Sequence, residues 1–212
     1  PGTTWRYGWS ADVLARVLEV ASGEPFARIL ESRIFEPLSM NDTGYMVQET
    51  RRDRLASMYT QDADGDLVLV PTPYSLPVGW TPGGGGLIST AGDTMRFALM
   101  LWNGGTYDGV RVLSPESVAL MTRPHVTRGV LDEREIDGLA WGLGLAVVAD
   151  AEATPMVDRT GDYWWAGFYG THFFVSPETD LVGVLLTQNQ PGPYSSLPYP
   201  IYVATALAFF GI

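Results

Sequence analysis

Apolar residues at Val13, Leu14, Val17, Leu18 and Ala21 recur at helical spacing and predict an amphipathic helix, with Ser10 as its N-cap and Gly23 as its stop. A second helix is predicted after Pro25, with Phe26, Ile29, Leu30 and Ile34 on one side and Pro37 at its end. Asn41-Asp42-Thr43-Gly44 is turn chemistry. Asp62–Asp66 precedes the apolar run Leu67-Val68-Leu69-Val70, which predicts a hairpin turn leading into a strand. A loop rich in Pro and Gly runs from Pro71 to Gly86. Ser89 or Thr90 then caps a helix carrying Met95, Phe97, Ala98, Met100 and Leu101, closed by Asn103-Gly104-Gly105. Tyr107-Asp108-Gly109-Val110 predicts a tight turn. Ser114-Pro115-Glu116 starts a short helix with a cap, a proline at the first position and an acid in the first turn.

From Ala140 the pattern changes. Trp141–Val148, Gly167–Val175 and Leu181–Thr187 are predicted as three strands joined by short turns, and Tyr199–Phe210 as an apolar C-terminal helix. Helices first, then an antiparallel meander, then a helix able to cover one sheet face make an α+β plan. Residues 1–139 form the mainly helical region of one domain, and residues 140–212 its strands and terminal helix. Three strands alone make a thin sheet, and its edges call for further strands.

Composition narrows the function classes. The 212 residues fit one large domain or a piece of one. Apolar residues make up 46% and charged residues 17%, which excludes a disordered chain. The net charge of −11 and the scattered arginines exclude a nucleic-acid or anionic-membrane binder. Without cysteine there is no disulfide, thiolate catalysis or Cys-based metal site. All 13 basic residues are arginines, so no mechanism that needs a lysine can be completed within these residues. No apolar run reaches the ~18–20 residues of a spanning helix, and no leader is visible before Pro1-Gly2-Thr3.

Most candidate motifs have plain structural readings. Asp62–Asp66 alternates carboxylates as a calcium loop does, but its glycine falls fourth rather than sixth and no twelfth-position glutamate follows, so it is a turn. Gly83–Gly86 lacks the lysine of a phosphate loop and reads as backbone approaching a neighbour closely. His125 and His172 have no G-x-S-x-G partner for a triad and no H-E-x-x-H spacing for zinc. Two segments are less ordinary. Trp5-Arg6-Tyr7-Gly8-Trp9 places three aromatics at the approach to a helix. Tyr163-Trp164-Trp165-Ala166-Gly167-Phe168-Tyr169-Gly170-Thr171 joins large aromatics to small residues at a strand. Each reads as packed aromatic core or as the lining of a ligand site.

The order of these signatures resembles the serine β-lactamase-like hydrolases, in the branch of class C β-lactamases and family VIII carboxylesterases. The resemblance covers nearly all 212 residues. It rests on Pro1-Gly2 leading to Tyr7, Ser22-Gly23, Ile34-Phe35-Glu36-Pro37-Leu38-Ser39-Met40 with Asp42-Thr43, Gly83–Gly86 followed by Leu87-Ile88-Ser89-Thr90-Ala91, Asn103-Gly104-Gly105, and Leu113-Ser114-Pro115-Glu116. Trp165-Ala166-Gly167, Gly170-Thr171, Pro177 and Leu186-Thr187-Gln188 continue it.

The resemblance implies a β-lactamase/penicillin-binding-protein-like α+β fold and three active-site motifs. Y-x-N, whose tyrosine is general base or acid, maps onto Tyr7-Gly8-Trp9, with Trp9 in place of asparagine. K-T-G, or W-x-G in the esterase branch, maps onto Trp165-Ala166-Gly167, and the N–H of Phe168 becomes one half of the oxyanion hole. S-x-x-K, which carries the nucleophile, is missing. The resemblance implies that it lies in an N-terminal part before Pro1, which would also supply further strands, and that residues 1–212 alone are inactive.

This chemistry is coherent. A serine needs activation to attack an acyl carbon, a phenol gives up its proton near neutrality only beside positive charge or strong donors, and the developing oxyanion needs aimed donors. Trp165 and Ala166 offer neither charge nor hydroxyl to a substrate carboxylate, and Trp9 removes an amide that would contact an acyl-side carbonyl, so the resemblance implies a site that suits neutral esters. The expected function is a carboxylesterase-like serine hydrolase acting through an acyl-enzyme on a small ester or amide. The alternatives are a β-lactamase, a D-amino-acid-specific peptidase or amidase of the same superfamily, and a non-catalytic binding relative. No cofactor or metal is implied, and the compartment stays open between cytoplasm and periplasm.

Overall fold

The structure is a computed structural model, and it describes residues 3–71, 81–126, 136–154 and 159–189. The expected C-terminal helix at 199–210 lies outside the described residues.

Helix α1 spans Ser10–Ser22 and ends at Gly23. The cap position is held by Trp9 rather than Ser10, and no side chain caps it. Ser10 is the first helical residue, so the expected Ser10 cap is displaced by one position. Helix α2, Phe26–Leu30, continues as a π-helical turn over Glu31–Phe35. There the N–H groups of Glu36 and Met40 reach back five residues to Glu31 and Phe35. Strands β1 (Met58–Gln61) and β2 (Leu67–Val70) form the expected hairpin around the acid-rich turn. The Asp62 side chain accepts from the N–H groups of Asp64 and Asp66, both at 3.0 Å, which makes this segment a turn closed by its own first residue.

Helix α3 spans Ala91–Trp102, and Thr90 caps it by accepting from the N–H of Asp93 at 3.2 Å. Strands β3 (Thr106–Tyr107) and β4 (Val110–Arg111) pair across the Asp108-Gly109 turn. Helix α4, Pro115–Met121, has Ser114 as its cap and proline in its first turn.

The sheet is where sequence and structure part. Five strands rather than three lie in the order β5-β6-β7-β8-β9, all antiparallel. The segment read as one strand, Trp141–Val148, is two: β5 (Leu139–Trp141) and β6 (Ala146–Val148). The N–H of Gly142 donates to Leu145 O and closes a turn between them. The expected strand over Gly167–Val175 starts instead with a turn. It separates β7 (Tyr163–Ala166) from β8 (Thr171–Ser176). Strand β9 is Leu181–Leu186. In the first segment two short apolar strands flank a glycine turn, and an apolar run alone does not reveal where the chain reverses. β7 lies wholly before the second segment, whose first four residues are the turn.

Helix α3 lies on β8 and β9. Its Ala98, Met100 and Leu101 are at most 1% exposed and join Leu38, Val118, Val147, Tyr163 and Val175 in the main core. Burial of each large aliphatic side chain stabilises the fold by roughly 1.5–3 kcal/mol. A polar tie fixes the start of α3. The Asp93 carboxylate accepts from the Asp42 N–H at 2.8 Å and the Thr43 hydroxyl at 2.9 Å. Asp42 is in turn held by Arg54 and Arg51, whose guanidinium groups push its carboxyl below the usual range.

Helix α1 is packed differently. Ala15 is buried, and the loop at Gly83 presses on the first turn. A Cβ there would sit 2.2 Å from Ala11 O, so this is the close backbone approach that the glycine run implied. The Tyr45 hydroxyl donates to Pro82 O at 2.7 Å and anchors that loop. Yet Val13, Leu14, Val17 and Leu18, which define the apolar stripe, are between 39% and 63% exposed.

Candidate active site

Tyr7 stands in the segment that leads into α1. The residue is 46% exposed. Its ring centroid lies 5.6 Å from the ring of Trp165 on β7, 5.9 Å from Trp141 on β5 and 6.3 Å from Trp5. Trp141 closes the group, stacked on Trp5 at 4.5 Å and edge-on to Trp165 at 4.7 Å. Segments more than 130 positions apart in sequence thus meet in one aromatic wall. Its contacts are dispersion and quadrupole contacts between rings, with no cation among the four side chains.

Gly167-Phe168-Tyr169-Gly170 turns the chain from β7 into β8. The Gly170 N–H donates to Gly167 O at 3.0 Å, and the Gly167 N–H donates to Thr171 O at 2.7 Å. The N–H of Phe168 is outside both bonds, and the residue is 73% exposed. Thr187 supports the turn by donating to Gly170 O at 2.8 Å. Gly170 has φ +83°, and a Cβ on it would lie 2.2 Å from Thr187 Oγ1, so only glycine fits there.

Of the residues singled out in the sequence, Tyr7 and Trp165 are therefore brought together. Ala166 and Gly167 follow Trp165 on the same strand end. Trp9, 73% exposed at the N-cap of α1, stacks on no other described ring. His125 and His172 do not join this group among the described contacts. The His125 ring bonds to Leu120 O at 2.7 Å. His172 is buried on β8, stacked on Trp164 at 5.1 Å, and burial pushes its pKa down to about 4. Sequence reasoning misses Trp141, which it places at the start of a strand and which is the last residue of β5. The signal available is a tryptophan close before a glycine turn, at Trp141-Gly142 as at Trp165-Ala166-Gly167.

The family model described as Beta-lactamase matches residues 1–206. Protein Rv1367c of Mycobacterium tuberculosis is 37% identical over 90% of this chain and 50% of its own length. Esterase EstB of Burkholderia gladioli is 28% identical, over 96% of this chain and 54% of its own. The solved structure of EstCE1, a hydrolase with promiscuous acyltransferase activity, superimposes with a TM-score of 0.79 at 26% identity. It covers 96% of this chain and 57% of that one. The chain thus spans about half the length of the curated relatives it matches. Among the described residues, no helix is long and apolar enough to cross a membrane.

Proposed function

The chain belongs to the β-lactamase family, and from that premise we propose that it is part of a serine hydrolase that cleaves small neutral esters through an acyl-enzyme. In this reading Tyr7 is the general base and acid, and the Phe168 N–H is one oxyanion donor. Trp9, Trp165, Ala166 and Gly167 line the substrate. The nucleophile comes from a Ser-x-x-Lys in a further part of the same protein, because these 212 residues contain no lysine. The serine oxygen bonds to the acyl carbon, and its proton passes by way of Tyr7 and the lysine to the departing alkoxide. Water then releases the acid by the reverse relay.

The observation that carries this reading is the 5.6 Å approach of the Tyr7 ring to Trp165. It joins the tyrosine segment to the strand end whose N–H faces no partner in its own turn. The wall around them is aromatic and uncharged, which suits an ester without a carboxylate handle. The exposed stripe of α1 supports a covering partner, and the part carrying Ser-x-x-Lys is the occupant this reading assigns to it.

The test compares short acyl esters, a chromogenic cephalosporin and D-Ala peptides on the complete protein. Preferential turnover of the neutral esters is expected. Turnover of D-peptides with none of the esters would replace the esterase reading with a peptidase. Residues 1–212 alone are expected to take no label from a serine-directed fluorophosphonate. Stoichiometric labelling there would place the nucleophile within them.

A further inference from the structure

Trp141 touches three of the aromatic rings that matter, yet the family motifs give it no part. Its backbone is fixed from two sides. Trp141 O accepts from the N–H groups of His125 and Val126 at 2.7 and 3.1 Å, and its own N–H donates to Val126 O at 2.9 Å. One residue on, Gly142 closes the turn to Leu145, and the Leu143 N–H donates to Met121 O at 3.0 Å, at the end of α4. The indole therefore projects from a braced strand end.

Tyr7 has no such bracing. It sits before α1 in a segment without regular structure. Among the described residues, the first backbone bond after it runs from the Val13 N–H to Trp9 O. Among the described residues, the Tyr7 ring meets three other rings: Trp5, Trp141 and Trp165. Trp5, its neighbour in the same segment, is itself stacked on Trp141 at 4.5 Å with 28° between the planes. Trp141 thus grips the segment at two points and also meets Trp165 edge-on.

We propose that Trp141 is a positioning residue that clamps the Trp5–Tyr7 segment to the sheet and sets the place of the Tyr7 hydroxyl. This rests on the proposed role of Tyr7. A clamp acts on proton transfer rather than on substrate affinity, because a displacement of about 1 Å in a catalytic group can cost about 10²-fold in rate. Loss of the indole should therefore lower kcat far more than it raises KM.

The experiment has two arms. In the first, fluorine NMR reads a fluorotyrosine at Tyr7 in the complete protein, where ring currents from the indoles shift the signal. Trp141→Ala should move that resonance toward its unfolded position, and Trp141→Phe should keep most of the shift. In the second, the complete protein carrying Trp141→Ala should lose about 10²-fold in kcat with KM changed only a few-fold, and Trp141→Phe should recover most of the loss. Should the alanine variant fail to fold, Trp141→Leu replaces it in both arms. An unmoved Tyr7 resonance, or a raised KM with kcat intact, overturns the clamp. A moved resonance in a protein without hydrolase activity upholds the clamp and overturns the catalytic reading.

Discussion

Helices α1 and α3 carry apolar stripes of the same kind, yet they are treated in opposite ways. In α3 the residues Ala98, Met100 and Leu101 vanish into the core against β8 and β9. In α1 the residues Val13, Leu14, Val17 and Leu18 stay 39–63% exposed, and only Ala15 is buried. The difference is one of available partners. α3 follows a cap that fixes its start and returns onto a sheet made within the same chain. α1 is pinned at its first turn by the Gly83 loop, and no described element covers its stripe. The helix that supplies stability and the helix that follows the candidate tyrosine are therefore distinct, so changes in the two should be read out by different measurements.

The largest expected effect is at the α1 end. Tyr7→Phe in the complete protein should lower kcat by about 10²–10⁴-fold while thermal unfolding stays within a degree or two. Wild-type turnover would make Tyr7 a packing residue and erase the functional side of the contrast. At the α3 end, Leu101→Ala should cost about 2–5 kcal/mol in chemical denaturation, because it empties a site that is 1% exposed. A cost below about 1 kcal/mol would mean the α3 core is not what holds the sheet.

The third expectation concerns pH. His172 is buried, and its folded pKa is about 4 against 6.5 when free. Between those values the unfolded chain binds a proton that the folded chain does not, so stability falls as pH drops from 6.5 toward 4. The expected loss is about 3 kcal/mol. His172→Phe keeps a ring against Trp164 and removes the proton uptake. The difference between its denaturation curves and those of the wild type should flatten above pH 6.5 and widen below it. Parallel pH profiles would show that His172 is protonated alike in both states. The smallest effect should come from Leu14→Ser in the 212-residue chain, within about 0.5 kcal/mol, as for other exposed positions. A loss as large as that of Leu101→Ala would mean that the α1 stripe is already covered.

Much of the local structure was legible. Thr90 at a cap, Ser114-Pro115 at a helix start, Gly23 at a helix end and Asp62–Asp66 at a hairpin all act through side-chain and backbone chemistry a few residues away. Such short-range rules survive in any tertiary setting. The strand expected from Gly167 begins only at Thr171, after the Gly167–Gly170 turn. The turn at Gly142–Leu145 was not legible, because an apolar run through a glycine fits one buried strand as well as two. What chose between them was the pairing of β6 with β7 and of β7 with β8.

By itself the sequence determined which residue types are available for chemistry. It offers tyrosines but no lysine and no cysteine, and that is fixed by composition. That Trp165-Ala166-Gly167 stands at a third motif is what the family resemblance implies. Only the tertiary structure decided which of these residues meet. Tyr7, Trp141 and Trp165 lie far apart along the chain, and their contact depends on how the sheet brings the ends of β5 and β7 to the approach to α1. Covalent sequence sets the identity of a side chain, whereas its neighbours are set by the packing of elements that no local pattern specifies.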